Sequence, residues 1–346
     1  MLEYNPALDG LRAMAVIAVM LFHAKVPGVL GGFLGVDVFF VLSGYLITRI
    51  IHEKRRLHAF SFTDFYRKRA VRILPPLFVA ACFTALLALA VGESVSETRI
   101  VSALLFYTNI DLAMNYSRAL FAHSWSLSLE EQFYLVWPIT LMVILRFAKT
   151  PSTWVFILYV GAVLWRGYLV VAGLEWIDIY YRPDTRLSGL LLGSALGLGL
   201  YRANVTPKLA FAALLVLLFC FHQAEWREMS VFYTSLPAVE ISTALIIISL
   251  CSSRGAIYRL LSKRVLVKIG ILSYSMYLFH YPIMRVASEE LSTLWLFPLA
   301  TAVTLALSEG CRVLVERPIQ NRFGGQRDSA MRAKSPISQE RRSQGS

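Results

Sequence analysis

The chain has 346 residues, of which 57% are hydrophobic and only 16% are charged, whereas a soluble domain carries about 25% charged residues. The apolar residues come in blocks of about 20, which excludes a single soluble core and predicts a polytopic membrane protein. The net charge of +12 is interpreted as basic cytoplasmic loops and a basic tail, not as a nucleic-acid surface. The four cysteines have neither metal-ligand nor disulfide spacing, so no metal site is expected.

Apolar segments of spanning length occur along almost the whole chain. The ten candidate spans are residues 8–26, 33–51, 72–91, 131–147, 153–173, 185–201, 207–223, 231–251, 267–287 and 291–315. Basic loops at 49–72 and 252–268, and a basic tail at 327–346, are predicted to be cytoplasmic. Parity then places both ends of the 92–130 segment outside, so the short apolar stretch 100–114 is predicted not to cross. The prediction is an all-α bundle of about ten transmembrane helices with both termini cytoplasmic.

The chain is expected to form one membrane domain and a tail. We assign residues 1–322 to the transmembrane domain and residues 323–346 to a basic, disordered cytoplasmic tail. The first residues lack a basic region and a small-residue cleavage site, so the first span is predicted to be a retained anchor.

The first span contains two polar side chains separated by ten residues that include none. Eleven residues of α-helix turn through three rotations plus about 20°, so Arg12 and His23 share one face, about 16 Å apart along the axis. Such groups in a membrane helix usually face the bundle interior at a functional site. The alternative is that both side chains reach toward the membrane interfaces.

Two further spans carry charges near their ends. Asp37 lies just inside the predicted outer end of the second span, where a structural and a functional role are equally compatible with its position. Arg69 and Arg72 share a helix face at the cytoplasmic start of the third span. Ordinary positive-inside anchoring explains such arginines, and a pair of guanidiniums also suits phosphate binding.

The later spans add a carboxylate, a phenol and a histidine. Glu130 and Tyr134 share one face at the start of the fourth span, which is typical of a polar cavity, although acids at a helix start also favour its dipole. Asp184 and Arg186 open the sixth span from outside. In the ninth span, Ser273 and His280 share a face; a lone histidine there is more often an interface residue than a catalyst.

Taken together, these motifs resemble the acyltransferase-3 family of integral membrane O-acyltransferases, closest to its O-antigen and exopolysaccharide O-acetylases. The resemblance runs from Leu8 to about Ile319. It rests on Arg12 with ten residues to His23, GVDVFFVLSGYL from Gly35, the pair Arg69 and Arg72, HSWSLSLEEQFY from His123, and SYSMYLFHYP from Ser273.

The resemblance implies transfer of an acyl group, usually acetyl from cytoplasmic acetyl-CoA, to a sugar hydroxyl. His23 matches the essential histidine of the family and Arg12 its paired arginine. Arg69 and Arg72 match the donor-binding pair, and Glu130 matches the acid of the Trp-Ser-Leu motif. We hypothesise that His23 acts as a base or as a transient acyl carrier, and that Glu130 orients its imidazole.

The expected partners follow from this resemblance. Acyl-CoA is a co-substrate, not a bound cofactor, and the acceptor is a cell-surface or lipid-linked carbohydrate or glycolipid in a bacterial inner membrane. Some relatives carry an extracellular domain that is not fused here, so two alternatives stay open: the protein engages its acceptor through a partner protein, or it does so without one. The acceptor-binding or structural polar residues are Asp37, Tyr134, Trp125, Asp184, Arg186, Ser273 and His280. The alternatives are acylation of a small glycoside such as a macrolide or lipo-oligosaccharide, a transporter or exporter, and a non-catalytic scaffold.

Overall fold

The computed structural model describes residues 4–117, 119–200 and 205–323. Helices account for 82% of the structure, and the described ranges contain no strand. The all-α prediction is therefore confirmed. Residues 324–346, which hold almost all of the predicted tail, lie outside the described residues.

The helices overlap all ten predicted segments. They are α1 (Pro6–His23), α2 (Gly35–Arg56), α3 (Phe62–Val91), α4 (Glu97–Leu104), α5 (Thr108–Met114), α6 (Trp125–Phe147), α7 (Pro151–Val171), α8 (Trp176–Tyr180), α9 (Pro183–Arg186), α10 (Ser188–Gly197), α11 (Pro207–Gln223), α12 (Ser235–Ser252), α13 (Ala256–Leu261), α14 (Arg264–Glu290), α15 (Thr293–Cys311) and α16 (Arg317–Phe323). A π-helical turn, Arg312–Glu316, joins the last two, and 3₁₀ turns precede α2, α6 and α12.

Six helical stretches of the described chain are long and apolar enough to cross a membrane by length and composition. They are Pro6–His23, Gly32–Arg56, Phe62–Val91, Pro151–Val171, Met229–Ser252 and Leu294–Phe323. The count of ten crossings and the cytoplasmic position of the termini stay predictions.

Local sequence sets several helix ends. The Asn5 side chain accepts a hydrogen bond from the Ala7 N–H at 3.1 Å, and Pro6 occupies the first position of α1. Ser61 caps the start of α3 in the same way. At the other end of α3, Gly92 adopts a left-handed backbone with φ 73°, a conformation that costs glycine little. These caps fix where the long helices begin and end.

The stretch 100–114 forms two short helices instead of one long one. The chain breaks between α4 and α5, where Phe106 has a φ of 58°. Helices of eight and seven residues are about 10–12 Å long, well below the roughly 30 Å of a bilayer core. The prediction that this stretch does not cross is consistent with that length. An ion pair of 2.5 Å between Arg99 and Asp111 joins the two helices.

Glycines allow two helix pairs to touch through their backbones. A Cβ at Gly44 of α2 would lie 2.0 Å from the Leu190 carbonyl oxygen of α10, and one at Gly193 would lie 2.0 Å from the Val41 oxygen. A Cβ at Gly270 of α14 would lie 1.8 Å from the Asp9 oxygen of α1. Small residues permit such close approach in membrane bundles. The contact at Gly270 holds α1 against α14, which brings His23, at the end of α1, beside His280 in the interior of α14.

Candidate active site

The histidine that ends α1 lies beside the histidine of α14. The Nδ1 atom of His23 is 3.1 Å from Nε2 of His280. The ring of His280 is fully buried, whereas His23 keeps part of its surface exposed. The two residues are 257 positions apart in sequence, and the close packing of α1 on α14 brings them into contact.

A third histidine and a tyrosine complete this histidine cluster. The ring of His123, in the turn before α6, is centred 5.8 Å from the His280 ring, and its Nε2 lies 3.1 Å from the Leu278 carbonyl oxygen. Tyr281 stacks on His123 and meets the edge of His23, with ring centres 5.0 Å apart in both cases. Neither His123 nor Tyr281 is among the site residues predicted from the sequence. The available signal was their position, at the start of one quoted motif and directly after His280 in another.

A second cluster, around Arg69, lies between α3 and α6. The Arg69 guanidinium forms an ion pair of 2.7 Å with Glu131 and lies 3.2 Å from the centre of the Tyr134 ring. The hydroxyl of Ser43, from α2, is within hydrogen-bonding reach of both Glu130 and Tyr134. Within the described chain, Oε1 of Glu130 is buried without a hydrogen-bond partner.

Glu130 therefore belongs to the Arg69 cluster and not to the histidine cluster. The structure places His280, and not Glu130, against the imidazole of His23. The predicted orientation of His23 by Glu130 has no support in the contacts of the described residues. The reason is the position of Glu130 on α6, which turns its carboxylate toward Ser43 and the guanidinium of Arg69.

Tyr277 lies between the two clusters. Its hydroxyl donates to the His123 carbonyl oxygen at 2.8 Å and contacts the Ser126 hydroxyl at 2.6 Å. The ring centre of Tyr277 is 5.3 Å from that of His280. The Glu130 carboxylate is close enough to interact electrostatically with the Tyr277 hydroxyl. Tyr277 thus connects the histidine cluster to Ser126, which lies on α6 one turn before Glu130.

The other predicted donor-site arginines differ in their surroundings. Arg12 is partly buried and lies 3.8 Å from the Asp9 carboxylate. Arg72 is exposed, whereas the guanidinium of Arg69 is enclosed by Glu131 and Tyr134. Arg12 and Arg69 therefore pair with different carboxylates, Asp9 and Glu131, and Arg72 lies at the surface one turn along α3.

Asp37, Trp125 and Arg186 come together in a buried ion-pair site. Arg186 Nη2 lies 2.9 and 3.0 Å from the two oxygens of Asp37. The guanidinium lies 5.4 Å from the Trp125 ring centre and 4.7 Å from that of Tyr180. Nε and Nη1 of Arg186 are buried without a partner in the described chain. An acceptor-binding role for these residues stays a prediction.

A second buried ion pair was missed by the sequence reasoning. Arg166 of α7 and Glu240 of α12 are both fully buried, 3.8 Å apart, and Ser188 hydrogen-bonds to each. The signal was present, because each is a charge inside an apolar run. Sequence alone did not show that they face each other.

Asp184 and Ser273 lie apart from these contacts. The half-exposed Asp184 accepts hydrogen bonds from Arg182 and Trp165, each at 2.8 Å. Burial alone would raise the pKa of Asp184, but these hydrogen bonds and the Arg182 charge hold it below its usual value. Ser273 is buried in α14, and no hydrogen bond among the described residues joins it to either cluster. Among all the residues that the structure describes, no group of three or more His, Cys, Asp or Glu side chains is arranged to hold a metal ion.

A family model described as an acyltransferase domain matches residues 5–309. The chain belongs to the acyltransferase-3 family. The predicted resemblance is therefore confirmed over nearly the whole chain. As a member of this family with several apolar helices, the protein is an integral membrane protein, consistent with the predicted bacterial inner membrane.

Two curated relatives illustrate the similarity. The chain is 30% identical to the peptidoglycan O-acetyltransferase OatA of Listeria monocytogenes, over 94% of this chain and 58% of that protein. It is 32% identical to the O-acetyltransferase OatA of Staphylococcus aureus, over 81% of this chain and 51% of that protein. The chain spans about half the length of the curated relatives it matches. No solved structure matches it.

Proposed function

We propose that the protein is a membrane O-acyltransferase that moves an acyl group, in the first instance acetyl, from cytoplasmic acyl-CoA to a hydroxyl of a cell-envelope carbohydrate. The observation that carries this proposal is the partly exposed imidazole of His23, held against His280 at the end of α1. Family membership supports the reaction class.

The chemistry assigned to His23 balances without a further reactant. As a base, its imidazole takes the proton of the sugar hydroxyl while the hydroxyl oxygen bonds to the thioester carbon. The carbon–sulfur bond then breaks, and the departing thiolate takes that proton. As a nucleophile, the imidazole first bonds to the thioester carbon while the carbon–sulfur bond breaks and the thiolate leaves, which gives an acyl-imidazole. The sugar oxygen then bonds to the acyl carbon, the nitrogen–carbon bond breaks, and the hydroxyl proton passes to the thiolate. Both routes yield the ester and free CoA.

The donor is assigned to the arginine side of the bundle. Paired guanidiniums suit the phosphates of CoA, and Arg12, Arg69 and Arg72 provide three. The 16 Å of helix between Arg12 and His23 is close to the roughly 15–20 Å length of a pantetheine arm. On this proposal Tyr277, which hydrogen-bonds to Ser126 and to the His123 carbonyl oxygen, would lie beside the thioester on its way to His23.

The acceptor is assigned to the side of the bundle where Tyr281 meets His23. Its partly exposed ring, 5.0 Å from the imidazole, offers an apolar face with a polar tip. The relative from Listeria monocytogenes is named for peptidoglycan, whereas the sequence motifs favoured O-antigen and exopolysaccharide enzymes. Peptidoglycan is therefore the first acceptor to test.

The proposal is tested with membranes that contain the protein, labelled acetyl-CoA, and separate acceptor fractions of peptidoglycan, lipid-linked precursors and glycolipid. We expect label in one carbohydrate fraction that mild base releases, as an ester requires. The label should be absent when His23 is replaced by alanine. Folded protein that transfers no label from acetyl-CoA or from a longer acyl-CoA would overturn the proposal.

Neutralising Arg69 should weaken donor binding. The Arg69→Gln variant removes a charged hydrogen-bond donor worth about 1.5–3 kcal/mol, so we expect the KM for acyl-CoA to rise roughly 10–100-fold. The Glu131→Gln variant is the matched control, because it breaks the same ion pair but keeps the guanidinium. Its KM should stay the same or fall. Equal increases in both variants would assign Arg69 to the fold and not to the donor.

A further inference from the structure

The proton on the buried ring of His280 is fixed by its backbone contacts. Its Nδ1 atom lies 2.7 Å from the Tyr277 carbonyl oxygen and 3.2 Å from that of Met276. A carbonyl oxygen only accepts hydrogen bonds, so Nδ1 of His280 must carry a proton. In a neutral imidazole the other nitrogen is then an acceptor.

The surroundings of His280 favour the neutral ring. It is fully buried, and its ring neighbours among the described residues are the imidazoles of His23 and His123 and the phenols of Tyr277 and Tyr281. A buried imidazolium without a carboxylate partner would be costly. The Nε2 atom of His280 therefore accepts a hydrogen bond from its partner at 3.1 Å, which is Nδ1 of His23.

The same logic fixes His23. Its Nδ1 must carry the proton that it donates to His280, and a neutral imidazole carries one proton. Nε2 of His23 is consequently the nitrogen with the free lone pair. His23 as a residue keeps part of its surface exposed.

We propose that His280 is a positioning residue that holds His23 in the tautomer whose Nε2 is the reacting atom. This inference rests on the proposed function and deepens it. Nε2 takes the hydroxyl proton as the oxygen bonds to the acyl carbon, and it returns that proton to the thiolate when the carbon–sulfur bond breaks. Throughout the cycle, Nδ1–H of His23 stays hydrogen-bonded to His280, which fixes the ring orientation. The residue that orients the base, His280, is thus a neutral imidazole, whereas the corresponding residue in serine hydrolases is a carboxylate.

Two substitutions at His280 separate positioning from a purely structural role. The amide of glutamine reaches the place of Nε2, so His280→Gln keeps an acceptor for His23. The shorter amide of asparagine reaches only the place of Nδ1, so His280→Asn keeps the donor to the Tyr277 carbonyl and loses the acceptor. Loss of a residue that orients a metal-bound histidine costs about 10–100-fold, and we expect a similar range for a histidine that acts as a base.

We expect kcat to fall less than about 10-fold in His280→Gln and about 10–100-fold in His280→Asn, with the KM for acyl-CoA unchanged in both. A residue needed only to hold the helix backbone predicts the reverse order, because asparagine keeps that contact. Equal or reversed losses in folded variants would overturn the inference. The amount of each variant in the membrane and its melting temperature serve as folding controls.

A measurement on the wild-type protein avoids dependence on folded variants. Solid-state ¹⁵N NMR of histidine-labelled membranes, with His23→Ala to assign the signals, reports which ring nitrogen is protonated. We expect a protonated Nδ1 and an unprotonated Nε2 at His23. An active wild type with the proton on Nε2 would overturn this inference alone. A wild type without acyl transfer would overturn the proposed function and, with it, the catalytic purpose of the contact.

Discussion

We expect replacement of His23 by alanine to lower the rate of acyl transfer by roughly 10²–10⁴-fold, the usual contribution of a positioned acid–base group. The loss is expected in kcat, because the imidazole acts on the hydroxyl proton and not on the CoA phosphates. The protein should stay in the membrane at wild-type amounts, since His23 is the last residue of α1 and a smaller side chain leaves the helix intact. Transfer of label from acetyl-CoA to the acceptor measures the effect.

His222 provides a matched control for this experiment. It also lies near the end of an apolar helix, α11, but its exposed ring contacts the Gly28 carbonyl oxygen and lies outside the histidine cluster. The His222→Ala variant should retain transfer within a few-fold of the wild type. If His23→Ala retains the same activity as His222→Ala, His23 is not the reacting group.

Breaking the buried ion pair of Asp37 should destabilise the fold strongly. The Asp37→Ala variant leaves the Arg186 guanidinium buried without its only described carboxylate contact, and removing one partner of such a pair costs about 3–5 kcal/mol. We expect the free energy of unfolding in detergent or bicelles to fall by that amount. The double variant Asp37→Leu with Arg186→Met should recover much of the loss, since paired removal leaves no uncompensated charge.

The surface pair of Arg182 and Asp184 provides the contrast. Both side chains are about 40% exposed, and exposed ion pairs contribute about 0–1 kcal/mol. The Asp184→Ala variant should therefore melt close to the wild type. If the two single variants lose equal stability, the ion pair of Asp37 does not carry the stabilising role assigned to it here.

The helices could be predicted from the sequence because the hydropathy of a segment depends only on the residues within that segment. Each of the ten predicted segments overlaps a helix. Some boundaries moved: α3 begins at Phe62 and not at residue 72, because Ser61 caps it ahead of the basic turn that carries Arg69. Hydropathy locates the apolar part of a helix, whereas capping residues locate its ends.

The candidate site was only partly predictable because its contacts are long-range. Helix geometry predicts that Arg12 and His23 share one face of α1. The partner of His23, however, depends on which helix packs against α1. Motif position suggested Glu130, and the packing of α14 supplies His280 instead. The pairing of Arg166 with Glu240 was missed for the same reason. A sequence shows that a buried charge needs a partner, but the tertiary structure determines which one.

The glycine contact between α1 and α14 makes the histidine geometry depend on a distant point. Gly270 touches Asp9, and α1 rises about 21 Å from Asp9 to His23. Because the helix is rigid, a tilt of about 3° at this pivot displaces the imidazole by about 1 Å at the far end. Misplacement by 1 Å is enough to cost about 100-fold in rate. The position of the reacting nitrogen therefore depends on the contact between Gly270 and Asp9 at the opposite end of α1. A single methyl group added at Gly270 would change the tilt of α1 and so move the imidazole.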